Sequence, residues 1–439
     1  MVLDSQLRSS HSSATQPQAN PPVQYDVAIA GGGIVGLTLA CALQDSGLRV
    51  AMIEAQSRTA GLQRHRAYAI TLLSGQIFDG LGVWHDILPS ITTFQHIRLA
   101  EETYPAVVDL APGDLGRLAD LGYVGEHHVL VQALLNRLDA AENITWYSPA
   151  ELVKAAYTDQ AATLILNMDG ETHTLHTQLL VAADGARSPL RQAAGIGTKG
   201  WSYWQSCVTA VIRSEASHQN IAREHFWASG PFATLPLPGN RSQIVLTAPH
   251  EEAKHWLEVD ESAFLAELER RYGGQLGKLE LVGDRALFPV RLMQSDRYVQ
   301  PRLALVGDAA HCCHPVGGQG LNLGIRDAAA LAEVIKAAHQ RHQDLGDVRV
   351  LKRYERWRKI ENWAILGFTD VLDRLFSNHW FPIVAVRRLG LWGMKYLLPL
   401  RFLALKLMTG LSGRRPKLAA QGHYVAAARS GSDTEGTMR

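Results

Sequence analysis

Three short stretches of this 439-residue chain combine carboxylates with glycines in patterns that suit ligand chemistry. The first is Gly31-Gly32-Gly33-Ile34-Val35-Gly36, followed by Glu54. It satisfies G-x-G-x-x-G, in which Gly31, Gly33 and Gly36 make a tight turn, admit a pyrophosphate and allow close helix–sheet packing. Glu54 can accept hydrogen bonds from both ribose hydroxyls of an adenosine and would repel a ribose phosphate. FAD or NAD therefore fits, and NADP does not. The second stretch is Asp184-Gly185-Ala186-Arg187-Ser188 with Arg191. An acid and a glycine at a strand end, beside two cations, suit a crevice outside the carboxyl ends of a parallel sheet. The third runs from Gly307-Asp308 to Gly317, Gly318 and Gly320, where the backbone can approach a ligand that any larger side chain would block.

Each stretch needs particular elements to position it. Tyr25–Ala30 reads as a strand before the first glycines, a helix carries Leu37 and Cys41, and Arg49–Ile53 is a second strand ending at Glu54. Leu179–Ala183 and Leu303–Val306 are short apolar runs of the kind found in buried parallel strands. After Gly320, the spacing of Leu321, Ile325, Ala328, Ala332 and Ile335 predicts a helix whose N-terminal N–H groups face the turn. Ser188 before Pro189 reads as a helix N-cap followed by proline at the first helical position. Only one complete G-x-G-x-x-G is present, so one dinucleotide site is expected. Arg64 and Arg66 could lie against a diphosphate, and Gln132 stands near the start of an amphipathic helix over Val129–Leu138.

Other regions have a different texture. Phe94–Val108, Pro112–Gly125 and Ile196–Leu287 read as antiparallel strands rich in aromatic residues, with Gly230-Pro231 at a bend between two of them. Such a sheet over a cofactor makes an apolar pocket. From Arg374 to Lys417 nine basic residues occur with no acidic one, among many Leu and Trp residues. No apolar run reaches membrane-spanning length, so helices lying at a membrane interface are expected here. The competing reading is a helical cap with a solvated basic face.

Composition narrows the class. Lys+Arg number 43 and Asp+Glu 42, which gives no case for nucleic acid. Four cysteines without a disulfide pattern suit a reducing, cytoplasmic interior. Residues 1–22 are rich in Ser, Gln and Pro and read as a disordered tail. His311-Cys312-Cys313-His314 does not suit zinc, because four consecutive side chains cannot converge on one ion; no metal is expected.

With these residues assembled, the sequence resembles the para-hydroxybenzoate-hydroxylase-like flavoprotein monooxygenases, and within them the ubiquinone-biosynthesis hydroxylases. The match rests on Gly31–Gly36 with Glu54, on Asp184–Ser188 with Arg191, and on Gly307-Asp308 continuing through His314-Pro315-Val316-Gly317-Gly318-Gln319-Gly320-Leu321-Asn322-Leu323-Gly324 to Asp327. The resemblance implies an α/β fold: a Rossmann-like FAD-binding domain with an inserted antiparallel-sheet substrate domain and a C-terminal helical region. The FAD-binding domain is expected over 23–92, 126–194 and 286–368, and the substrate domain over 93–125 and 195–285. The helical, membrane-associating region is expected over 369–425, before a flexible tail at 426–439.

The resemblance further implies that Glu54 holds the adenosine ribose, Asp308 the ribityl chain, and Asp184 the pyrophosphate, with Arg66 and Gln132 as additional contacts. Gly185, Gly318, Gly320 and Asn322 belong to the same expected cofactor site. The implied activity is hydroxylation of a prenylated phenolic precursor in quinone biosynthesis through a flavin hydroperoxide, with dioxygen and NAD(P)H as co-substrates. Membrane and quinone-biosynthesis-complex partners are expected. Alternatives are epoxidation or hydroxylation of another isoprenoid or aromatic substrate, and a non-catalytic flavin-binding membrane scaffold. No catalytic acid or base is assigned. His311 and His314 are candidates for proton handling, weighed against simple satisfaction of a polar turn.

Overall fold

The computed structural model describes residues 24–64, 66–102, 104–116, 118–378 and 380–421, without the side chains of 104–106. The expected tails and the end of the C-terminal region lie outside these residues. Strands Leu303–Leu305, Glu171–Ala182, Tyr25–Ala30, Val50–Ile53 and Ile144–Tyr147 lie side by side in that order, all parallel. Every residue of Val27–Ala30 and Val50–Ile53 is buried, as a sheet covered on both faces requires. Helix Ile34–Leu43 packs on it with helix Gln319–Gln340, whose Ile325, Ala328, Ala332 and Ile335 are fully buried. The carboxyl ends of these strands deliver Gly31, Glu54, Ala183 and Gly307 to one edge of the sheet.

A second sheet has eight strands and is antiparallel except where Ile221–Trp227 runs parallel to His96–Glu101. One face packs on helices His250–Glu258 and Glu261–Tyr272 through Phe264, Leu268 and Tyr272. Its other face looks toward the parallel sheet. The expected bend at Gly230 joins strands Ile221–Trp227 and Gly230–Leu237. A small sheet of Ala67–Thr71, Gly122–Glu126 and Thr92–Phe94 sits between the two.

Two expected domain limits fall inside single elements. Strand Leu279–Ser295 pairs with Thr198–Ser214 nearly throughout, so the sheet does not divide at 285/286. Helix Val348–Phe376 runs through 368/369 without a break. Regular backbone hydrogen bonding carries both elements across positions where residue composition changes. Helices Phe381–Tyr396 and Leu398–Met408 follow, and the chain then returns to the first domain. Leu73 N donates to Thr409 O, and a Cβ on Gly80 would lie 2.0 Å from Leu418 O.

A candidate flavin site beneath an antiparallel sheet

The three glycines of the first turn meet different surroundings. Gly31 has φ +116°, and a Cβ there would lie 2.3 Å from Ala183 O; one on Gly36 would lie 1.9 Å from Gly31 O. Neither position can carry a side chain, because the obstruction is backbone. A Cβ on Gly33 would meet nothing within 4 Å. Open space at the head of a helix N-terminus is what a pyrophosphate needs. At the neighbouring strand end Glu54 accepts from Gly32 N at 2.6 Å and from Gln56 N at 2.9 Å, which fixes its carboxylate at a small cleft bordered by Gly33, Arg58 and Gly61.

That cleft shares Gly33, Arg64 and His127 with a cavity of about 880 Å³, at the upper end of the range for small-molecule sites. Gly185, Asp308, Gly318, Gly320 and Arg66 line the cavity. The guanidinium of Arg66 lies 4.5 Å from the centre of the Phe288 ring. Asp308 is reachable through the cavity but ringed by protein, and burial raises its carboxyl above the ordinary range despite nearby His311, Arg66 and Arg291. Burial likewise raises Asp184, partly offset by hydrogen bonds from Ser188 and the Leu190 backbone. Its Oδ1 is buried without a hydrogen-bond partner. The open cradle at Gly33 and the fixed Glu54 carboxylate fit an FAD stretched from the cleft into the cavity; Asp184 lies beside the lining residues Ala183 and Gly185 but lines neither space.

Side chains from distant elements hold the third turn. Asp327, on helix Gln319–Gln340, accepts from Gly307 N at 3.1 Å and lies 2.6 Å from His311 Nε2 and 2.8 Å from Arg358 Nε. Burial opposes its charge, but His311 and Arg358 outweigh burial and hold the carboxyl down at about 2. His314 is fully buried; its Nδ1 accepts from Val316 N and its Nε2 lies 3.4 Å from Asp373. Burial lowers His314 to about 4, so it is neutral. Both histidines are committed to the turn. Ser188 caps its helix as expected, accepting from Arg191 N, and Arg191 staples the second and third turns by donating to Ala186 O and Ala309 O. Cys312 and Cys313 line the cavity.

Two expected contacts lie elsewhere. Gln132 is on the exposed face of helix His127–Asp139 and donates to Asn136; buried Leu130, Leu134 and Leu138 define the inward face and leave this side chain outward. Asn322 is fully buried and spends its amide on Thr71 N, Ala69 O and Gly318 O. It fixes the turn against the small sheet.

The structure also brings to the cavity a carboxylate that motif reading passes over, Glu224 on strand Ile221–Trp227. The available signal was a charge between Ala222 and Phe226, at the period-2 positions of an otherwise apolar strand face.

Comparison with known proteins agrees with this architecture. Residues 24–369 match the family described as FAD binding domain. A ubiquinone hydroxylase of Rhodospirillum rubrum is 38% identical, covering 89% of this chain and 92% of its own. The 3-demethoxyubiquinol 3-hydroxylase of Escherichia coli is 34% identical over 88% and 98%. An uncharacterised protein of Synechocystis is 54% identical over 90% and 95%. In three dimensions, p-nitrophenol 4-monooxygenase from Pseudomonas putida superposes with a TM-score of 0.76 at 20% identity, over 89% of this chain and 99% of that one. The chain therefore belongs to the FAD binding domain family, as an FAD-dependent monooxygenase of the para-hydroxybenzoate-hydroxylase-like type.

Proposed function

We propose that the protein hydroxylates a prenylated phenolic precursor of a respiratory or photosynthetic quinone, working at a membrane surface. The observation that carries this reading is the cavity. It runs from the flavin turn to an apolar sheet face with Ile97, Ala222, Leu235 and Val245, and Met408 of the exposed C-terminal helices borders it. The names of the two hydroxylase relatives support a quinone precursor as substrate.

Within this reading the chain's own residues bind, orient and shield. Glu54 and the backbone at Gly33 hold the adenosine and pyrophosphate, Asp308 the ribityl chain, and Asp184 the pyrophosphate side of the crevice. When bound, FAD reduced by NAD(P)H supplies the activation of dioxygen and the transfer of one oxygen atom to the ring. N–H groups at the start of helix Gln319–Gln340 favour negative charge beside Gly318 and Gly320. The apolar sheet face keeps water from the reacting ring. Deleting the gene should cause an under-hydroxylated prenyl phenol to accumulate; unchanged quinone and intermediate pools would overturn the assignment.

The membrane part rests on helices Phe381–Tyr396 and Leu398–Met408. Phe381 is 79% exposed, Leu389 66% and Leu398 63%, beside Trp392 and Lys395. Among the described residues no helix is long and apolar enough to cross a membrane. Part of the one-sided charge is neutralised from outside the segment, since Arg387 pairs with Glu101, Arg401 with Asp114 and Arg414 with Glu333. Apolar contact thus outweighs charge in this reading. Substituting Phe381, Leu389 and Trp392 by Ser together should abolish co-sedimentation with anionic liposomes. Undiminished binding would count against it.

A further inference from the structure

The face of the antiparallel sheet that looks into the cavity is ordered in cross-strand rows. One row runs Leu99, Glu224, Ala233, Val245, Thr209 across five strands. Residues directly opposite one another share a face, so Glu224 points the same way as the apolar residues above the flavin turn. Its neighbour Arg223 points the other way and donates to His218 O and Ile221 O. Glu224 is the one charged member of its row. Among the described residues it makes no salt bridge, and both it and Gly317, on the third glycine turn, line the cavity.

A carboxylate set into an apolar wall without a cation is unfavourable, and folds keep such groups mainly where chemistry needs them. Burial raises this one to about 7, with the Gly317 hydrogen bond pulling the other way. Other titratable groups lining the cavity are Arg64, Arg66, Tyr68, His127, Arg187, Arg223, Arg291, Asp308, Cys312 and Cys313, with Cys207 beneath the sheet face. None of these is among the causes of the Glu224 shift, although Glu224 is itself among the groups that raise Cys207.

We propose that Glu224 is the catalytic base that takes the phenolic proton of the substrate, an inference that rests on the hydroxylation reading above. The phenol O–H bond breaks, the proton passes to the Glu224 carboxylate, and the electron pair stays on oxygen. The negative charge spreads to the ring carbons ortho and para to that oxygen, which makes them better nucleophiles toward the transferred oxygen atom. After transfer the ring carries a carbonyl and one tetrahedral carbon. Glu224 returns its proton to the carbonyl oxygen as the hydrogen on that carbon leaves to water, and the ring is aromatic again. A base whose affinity for protons lies near the working pH suits both directions of transfer.

The test uses the full-length holoenzyme with 2-geranylphenol in detergent micelles. For the wild type, kcat/KM should rise with pH through a limb near 7, and a difference spectrum of the bound probe should show the phenolate band. Glu224→Gln should lower kcat/KM by about 100-fold or more, remove the limb and leave the bound probe as neutral phenol, with full flavin content. Glu224→Asp should restore the phenolate band and part of the rate. If Glu224→Gln keeps the wild-type pH profile and phenolate band, the role is wrong and hydroxylation stands. If both variants lose flavin in parallel with activity, Glu224 merely holds the Gly317 turn, and the proposal is likewise overturned. If the wild type neither binds nor consumes the probe, the hydroxylation reading fails and takes this inference with it.

Discussion

The first and third glycine turns border the same cavity but are built differently. In the first, backbone contacts set the shape: Gly31 and Gly36 are pressed against carbonyl oxygens, and Gly33 alone faces open space. In the third, Gly307, Gly317 and Gly318 adopt φ values of +59°, +71° and +60°. They are held there by Asp327, Asn322, His311 and His314, and through these by Arg358 and Asp373. The first turn is therefore specified by backbone, its own and that of the neighbouring strand ends at Ile53 and Ala183. Specification of the third is spread over some sixty positions and depends on buried polar groups.

This contrast predicts where each turn breaks. Gly36→Ala should cost the most, more than about 5 kcal/mol, because its Cβ would meet a carbonyl that belongs to the same turn; little soluble folded protein should be recovered. Asp327→Ala should follow at about 3–5 kcal/mol, since it removes the fully buried carboxylate that both Arg358 and His311 pair with, leaving Arg358 only Glu361. Denaturant unfolding measures this, and a loss below about 1 kcal/mol would mean that the hub does not hold the turn.

Glu224→Gln should have a smaller effect on stability, and one that depends on pH. Its carboxyl is raised from 4.5 to about 7, so between these values the folded state binds more protons than the unfolded state. Wild-type stability therefore falls as pH rises through that window. Glutamine does not titrate, so the variant's advantage should grow from the acid side to the alkaline side, reaching at most about 3 kcal/mol. Melting curves on both sides of the window would check the sign.

Gly33→Ala and Asp308→Ala should change the melting of the flavin-free protein least, by less than about 1 kcal/mol, because both positions face the cavity rather than the core. Both should lower flavin content after purification. Full flavin occupancy in either would refute its assigned role.

The same contrast explains how much could be read from residues alone. The parallel strands, the helices behind both turns and the Ser188 cap were legible, because hydrophobic period and local glycine spacing determine them. The antiparallel character of the second sheet was legible too. Arg358 and Asp373 were not, since nothing local couples a helix beyond position 347 to a turn near 310. Gln132 was placed by its nearness to the helix start, whereas the stripe of Leu130, Leu134 and Leu138 puts it on the outer face. Asn322 lay in a motif whose residues serve two purposes. Glu224 lay in a strand that reads as ordinary core, and only cross-strand register shows which way it points.

The return of the chain after Met408 has a consequence for how the exposed helices meet a surface. Arg387 and Arg401 tie them to the second sheet, and Gly80, Leu73 and Glu333 hold the segment that follows. Fastened at both ends, they would meet the proposed lipid surface already folded. Docking should therefore order little new backbone, and calorimetry should find a heat-capacity change that scales with the apolar footprint alone, without the large ordering entropy of a segment that folds as it binds.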